Sequence, residues 1–66
     1  MNIMLNGEPR LLSTPISVHG LLQSEHLVER RVAVEVNGQI VPRSLHEAHI
    51  LAEGDRVEIV HALGGG

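Results

Sequence analysis

The sequence predicts a small α+β domain in which one face of a β-sheet packs against a short helix. Polar and apolar residues alternate near both ends of the chain and again in the middle, as they do in half-buried strands. Between these segments, apolar residues recur at i, i+3 and i+4, the spacing of one helix face. A sheet and a helix can bury their apolar sides against each other, so this order of elements favours a two-layer α+β arrangement.

The N-terminal segment predicts a β-hairpin. Residues 2–6 alternate polar and apolar side chains. The following turn contains Asn6-Gly7, which tolerates positive φ, and Pro9, which fixes its own φ. We expect the return strand over residues 10–14, with a loop of three or four residues between the strands.

The next segment predicts the main helix. Ser17 is a suitable N-cap because its hydroxyl can accept a hydrogen bond from the first turn. Val18, Leu21 and Leu22 then lie on one helix face. We expect this helix to be short and to end within residues 24–27.

A second hairpin is predicted by the clearest strand pattern in the chain. Residues 32–36 alternate, with three valines on one face. Asn37-Gly38 is a strong signal for a two-residue hairpin turn, and residues 39–41 form the brief return strand. Pro42 ends that strand because it has no N–H to donate.

The C-terminal part predicts a helical turn and a last strand. Ser44 and Glu47 have the spacing of a capping box, which predicts one or two helical turns over residues 45–50. In the last strand Val57 and Ile59 would face the helix. Val60 and Ala62 would lie on the opposite face, available to a partner.

Composition excludes several classes of function. The chain has 66 residues, no Cys, no Lys, no aromatic residue and a formal net charge of −3. The five basic residues are all Arg and are scattered, so nucleic-acid binding is not expected. No apolar run is long enough to span a membrane, and the N-terminus lacks a signal-peptide pattern. We therefore expect a cytoplasmic protein.

No side-chain cluster indicates catalysis or metal binding. The five His residues include His46 and His49 at i, i+3, but zinc usually requires four donors, so surface histidines are the simpler interpretation. The serines occupy turn and cap positions, and neither a nucleophile elbow nor a P-loop is present. We expect no independent enzyme, no bound cofactor and no metal.

The C-terminal Gly64-Gly65-Gly66 is the most informative feature. It is either an inert flexible tail or a functional one. Gly lacks Cβ, so such a tail can enter a narrow channel and bring its terminal carboxylate close to an enzyme's backbone and to ATP. Ordering the tail costs roughly 1–2 kcal/mol per residue, which favours a partner that also grips the folded body.

Several segments together resemble the sulfur carrier proteins of thiamine (thiazole) biosynthesis. They are residues 2–7 (NIMLNG), 18–22 (VHGLL), 37–43 (NGQIVPR) and 54–60 (GDRVEIV), and the final Gly65-Gly66. The resemblance implies the ubiquitin-like β-grasp fold, a mixed five-stranded sheet with one main helix on one face and with the first and last strands parallel. The domain would span residues 1–63 and the tail residues 64–66.

The resemblance also implies a reaction and a set of partners. An adenylating enzyme would use ATP and Mg²⁺ to convert the Gly66 carboxylate to an acyl-adenylate. A sulfur donor system, such as a cysteine desulfurase, would then leave a thiocarboxylate on Gly66. Thiazole synthase would take that sulfur into the thiazole ring. We predict that part of the docking surface for both the adenylating enzyme and thiazole synthase is formed by Val60, Ala62 and Leu63, because they flank the tail.

Three other functions are compatible with the residues. The small subunit of molybdopterin synthase uses the same tail chemistry, although such chains are usually longer and carry aromatic residues. A ubiquitin-like interaction domain would have an inert tail. A protein-tagging modifier would form isopeptide bonds with lysines of other proteins.

Overall fold

The computed structural model describes residues 1–61, which form a five-stranded sheet with one α-helix. The strands are β1 (Asn2–Leu5), β2 (Glu8–Leu11), β3 (Val32–Val36), β4 (Gln39–Ile40) and β5 (Arg56–His61), and the helices are α1 (Val18–Ser24) and a 3₁₀ turn (Arg43–Leu45). The strand order is β2-β1-β5-β3-β4. β1 and β5 are parallel, whereas the other neighbouring pairs are antiparallel. The mixed sheet and the parallel pairing of its first and last strands are confirmed.

The hydrophobic core lies between α1 and one face of the sheet. Its buried residues are all aliphatic: Ile3, Leu5, Val18, Leu21, Leu22, Val34, Val36, Val41, Leu51, Val57 and Ile59. The strands contribute alternate residues, and α1 contributes the predicted i, i+3, i+4 set. Burial of these side chains is the main favourable term in folding a chain without disulfides.

The helix begins and ends where the sequence predicts. The Ser17 hydroxyl accepts a hydrogen bond from the Gly20 amide at 3.0 Å, and the helix ends at Ser24. A Cβ on Gly20 would lie only 3.3 Å from Cβ of Ile16. The tight approach of Ile16 explains why glycine is accommodated here despite its low helix propensity.

An ion pair between Arg10 of β2 and Glu25 joins the end of α1 to the sheet. The pKa of Arg10 is raised, first by its hydrogen bond to Glu25 and then by the charge of that carboxylate.

The first hairpin differs from its prediction. Asn6 and Gly7 have φ values of 51° and 82° and form a two-residue turn, so the predicted loop of three or four residues is wrong. Pro9 lies inside β2, opposite Met4, rather than in the turn. Proline is accommodated because β2 is an edge strand with only one neighbour.

The capping box predicted at Ser44 is also wrong. Ser44 lies inside the 3₁₀ turn, which follows Pro42 and has no side-chain cap. Leu45 N–H donates to the Pro42 carbonyl at 2.9 Å, so the helical turns begin earlier than predicted. The fixed φ of Pro42, −60°, is compatible with the start of a helical turn.

Candidate functional site

The candidate site is built on β5, the central strand of the sheet and the one that leads toward the glycine tail. On one side β5 pairs with β1, and just beyond β1 the backbone N–H of Asn6 donates to the Val57 carbonyl at 2.9 Å. On the other side it pairs with the whole length of β3, from Val32 opposite His61 to Val36 opposite Val57. β5 is therefore paired on both sides at Arg56 and Val57, whereas beyond them only β3 pairs with it as far as His61, the last residue that the structure describes.

Two asparagine side chains extend this hold on β5. The Asn6 amide group accepts from the Ile59 N–H at 2.8 Å and donates to the Ile59 carbonyl at 3.3 Å. The Asn37 side chain accepts from the Arg56 N–H at 2.9 Å and donates to the Asp55 carboxylate at 3.0 Å. From the sequence, both asparagines are predicted only as turn residues. Asparagine suits these two positions better than aspartate because its side-chain amide can both donate and accept a hydrogen bond.

The two faces of β5 have different environments. Val57 and Ile59 are buried against the core, with 1% and 7% of their surface exposed, whereas Val60 is 56% exposed on the opposite face. This division follows the alternation predicted from the sequence. It places Val60 where a partner could reach it; its role in docking stays a prediction.

The face that turns away from α1, called the open face here, carries exposed apolar side chains around an acidic pair. Its outward residues, assigned from the pairing register, are Met4, Pro9, Leu11, Ala33, Glu35, Ile40, Arg56, Glu58 and Val60. Met4, Leu11, Ile40 and Val60 are exposed although they are large and apolar.

Glu35 lies directly opposite Glu58 on the open face, and neither forms an ion pair within residues 1–61. Like charges in directly opposed positions are destabilising. The open face is thus poorly suited to remaining uncovered and well suited to a partner with apolar and basic groups.

Other candidates from the sequence have structural positions. His46 is 7% exposed, and its Nε2 lies 2.9 Å from the Val41 carbonyl, so the expectation of surface histidines is wrong for this residue. The carbonyl of His49 accepts a hydrogen bond from the Val18 N–H at the start of α1. Within residues 1–61, no group of three or more His, Asp or Glu side chains could hold a metal ion.

The predicted tail residues lie beyond the structural description. Ala62 and Leu63, predicted as docking residues, and Gly64, Gly65 and Gly66, predicted as the reactive tail, fall outside the described residues. No helix within the described part of the chain is both long and apolar enough to cross a membrane.

Comparison with known proteins connects this architecture to a family. The model of the ThiS family matches residues 3–66. The sulfur carrier protein ThiS of Escherichia coli K12 is 30% identical over 66 residues, which cover all of both chains. Thiazole synthases of Magnetococcus marinus and Paramagnetospirillum magneticum are each 41% identical to this chain over its full length. The chain spans only 20% of the length of these two relatives.

Solved structures agree with the family match. A crystal structure of a thiamine biosynthesis protein (ThiS) from Geobacter metallireducens superimposes with a TM-score of 0.87 at 32% identity and covers all of both chains. A solution structure of a thiamine biosynthesis protein from the same organism gives a TM-score of 0.81, with 88% of that chain covered. The fold is therefore the β-grasp fold of ThiS. From the family match, the full-length relative and the structural agreement together, this chain belongs to the ThiS family of sulfur carriers.

Proposed function

We propose that this protein carries sulfur for thiamine biosynthesis on the carboxylate of Gly66. The observation that carries the proposal is the position of β5, which is fixed on both sides and leads directly toward the glycine tail. A rigid domain can be gripped by an enzyme while the tail enters that enzyme's active site. Such a grip offsets the entropy lost when the tail is ordered.

The proposed chemistry begins with activation of the carboxylate. A carboxylate oxygen of Gly66 attacks the α-phosphorus of ATP, pyrophosphate leaves, and an acyl-adenylate remains. The adenylating partner would supply Mg²⁺, which neutralises charge on the phosphates. Hydrosulfide then attacks the acyl carbon and AMP leaves. Where the donor is a cysteine desulfurase, its persulfide attacks instead, and a thiol then reduces the resulting acyl disulfide. The product is a thiocarboxylate on Gly66.

The residues of this chain suit a carrier rather than a catalyst. The chain contains neither Cys nor Lys, so no side-chain thiol or amine of its own can attack the activated acyl group in place of the sulfur donor. The partner enzymes would supply catalysis, ATP and Mg²⁺, and the carrier would supply a recognisable domain and a carboxylate. Because the reaction consumes ATP, we place it in the cytoplasm.

Thiazole synthase is the proposed acceptor of the sulfur. Two relatives that bear this name include a region similar to the whole of the present chain. Their resemblance supports a carrier domain that works with thiazole synthase. The open face, which includes Val60, would form the docking surface for the adenylating enzyme. Ala62 and Leu63 would extend that surface toward the tail.

Intact mass spectrometry tests the proposal directly. The chain is incubated with the adenylating enzyme, ATP, Mg²⁺ and sulfide, beside a variant that lacks Gly66, and the untreated mass of each is recorded first. The expected result is a shift that equals the replacement of one oxygen by sulfur, present only in the full chain. Absence of both this shift and an AMP adduct would favour an inert-tailed interaction domain instead.

A further inference from the structure

We propose that a small oxyanion of the phosphate class binds in a cavity beside α1, on the side of the sheet opposite the open face. The cavity has a volume of about 180 Å³ and lies between α1, the segment that precedes β3, and the 3₁₀ turn. Leu22, Val28 and Val32 supply its apolar lining. The inference is independent of the carrier function, because it uses neither the open face nor the tail.

Two arginines give this cavity a positive character. Arg30 and Arg43 both line it, although they come from different segments of the chain. Within residues 1–61 the one ion pair joins Arg10 and Glu25. The guanidinium groups of Arg30 and Arg43 therefore have no carboxylate partner in this part of the chain. Glu47 also lines the cavity but pairs with neither arginine. Guanidinium groups present planar sets of N–H donors that match the oxygens of phosphate.

A buried histidine contributes a fixed nitrogen to the same cavity. His46 lines it, and the Nε2 of His46 donates to the Val41 carbonyl at 2.9 Å, because a carbonyl can only accept. Nδ1 of His46 has no hydrogen-bond partner. Every fully buried side-chain nitrogen or oxygen of residues 1–61 does have one. Nδ1 is therefore not fully buried. This nitrogen can accept a hydrogen bond from monohydrogen phosphate when the ring is neutral. It can donate a hydrogen bond to the anion when the ring is charged.

The walls of the cavity are tied together by backbone hydrogen bonds. The N–H of His19, on the helix wall, donates to the His46 carbonyl on the opposite wall at 2.9 Å. The Val18 N–H makes a similar bond to the His49 carbonyl at 2.9 Å. The backbone of these two walls is thus fixed by the fold, and the cost of ordering a ligand falls mainly on the exposed side chains of Arg30 and Arg43.

The size of the cavity limits the ligand. Pockets for drug-sized molecules usually occupy about 300–1,000 Å³, whereas this cavity has about 180 Å³. A whole nucleotide is therefore too large, but one phosphate group fits. The ligand is either a free inorganic oxyanion or the phosphate group of a larger molecule whose remainder stays outside.

Nuclear magnetic resonance of the ¹⁵N-labelled full chain tests the inference. Sodium phosphate is titrated at fixed pH against sodium chloride of equal ionic strength, and the amide and imidazole signals are followed. We expect saturable shifts at His19 and His46 with phosphate only. Arg30→Gln and Arg43→Gln should each weaken binding by roughly five-fold, the upper range for a single exposed charge pair.

Arg31→Gln is the matched control, because it removes the same charge beside Arg30 from a residue that does not line the cavity. Equal weakening by Arg31→Gln would overturn the inference, since it would indicate diffuse attraction. Absence of saturable phosphate-specific shifts in the wild-type chain would also overturn it. AMP titrated in parallel distinguishes the sources: tighter binding of AMP supports a phosphate carried on a larger molecule, and equal or weaker binding supports the free anion.

Discussion

The two faces of the sheet differ in chemistry although they are built from the same strands. The face toward α1 has an aliphatic and buried centre, which includes Val57 and Ile59. The open face has Val60 exposed and Glu35 opposite Glu58. The first face gains free energy by burial within the chain, whereas the second keeps apolar surface and like charges that only a partner could cover. Stability and partner binding should therefore be separable along one strand.

The largest expected effect comes from truncation on the buried face. Ile59→Ala should lower the free energy of unfolding by about 2–5 kcal/mol, because it removes buried methyl groups and leaves a cavity. Val60→Ala, on the next residue but on the open face, should change it by less than about 0.5 kcal/mol. Urea unfolding of both variants measures the difference. Equal losses would show that the two faces are not distinct in their contribution to stability.

The next effect should appear in function and not in stability. Val60→Glu places a third carboxylate beside the acidic pair and removes apolar surface, so we expect adenylation of the tail to slow by roughly ten-fold, equivalent to about 1.4 kcal/mol. Unfolding by urea should be nearly unchanged. The rate is followed as pyrophosphate release in the presence of the adenylating enzyme. An unchanged rate would exclude Val60 from the docking surface.

A smaller effect is expected where the turn asparagines hold β5. Asn6→Gly keeps a residue that tolerates the φ of 51° but removes both hydrogen bonds to Ile59. The expected loss of stability is about 1 kcal/mol. Asn37→Gly, at the other turn, is the matched comparison, since its φ of 53° is also permitted to glycine. If neither variant lost stability, the side-chain bonds would contribute nothing beyond turn geometry.

The smallest effect should be a gain in stability. Glu35→Gln removes one charge of the pair opposite Glu58, so stability should rise by about 0.2–1 kcal/mol at low salt and by less at high salt. Association with a basic partner should become slower in the same variant. Thermal unfolding at two salt concentrations measures the first effect. A loss of stability on this substitution would contradict the proposed repulsion.

The sequence was sufficient for features that depend on local periodicity. The alternation around Val57, Ile59 and Val60 predicted which residues face the core because side chains in a strand alternate with period two. Ser17 and the apolar spacing after it predicted α1. Only the family resemblance predicts that the first and last strands pair in parallel, and the positions of the other strands come from the structure, since local patterns contain no information about which strands become neighbours.

The errors and omissions depend on tertiary surroundings. Pro9 is predicted in a turn because it fixes its own φ, but it lies in β2, where an edge strand accommodates the missing N–H donor. Ser44 matched a capping box, yet Pro42 began the helical turn earlier. The bonds from Asn6 to β5 and from His46 to Val41 join segments that only the fold brings together.

The central claim is that the open face, and not the helix side, meets the adenylating enzyme. Amide signals of the ¹⁵N-labelled chain, recorded with increasing amounts of that enzyme and without ATP, test it most directly. We expect Ala33, Glu35, Glu58 and Val60 to shift or broaden first, while the amides of α1 stay nearly unchanged. Perturbations centred on α1, with the open face unaffected, would contradict the account.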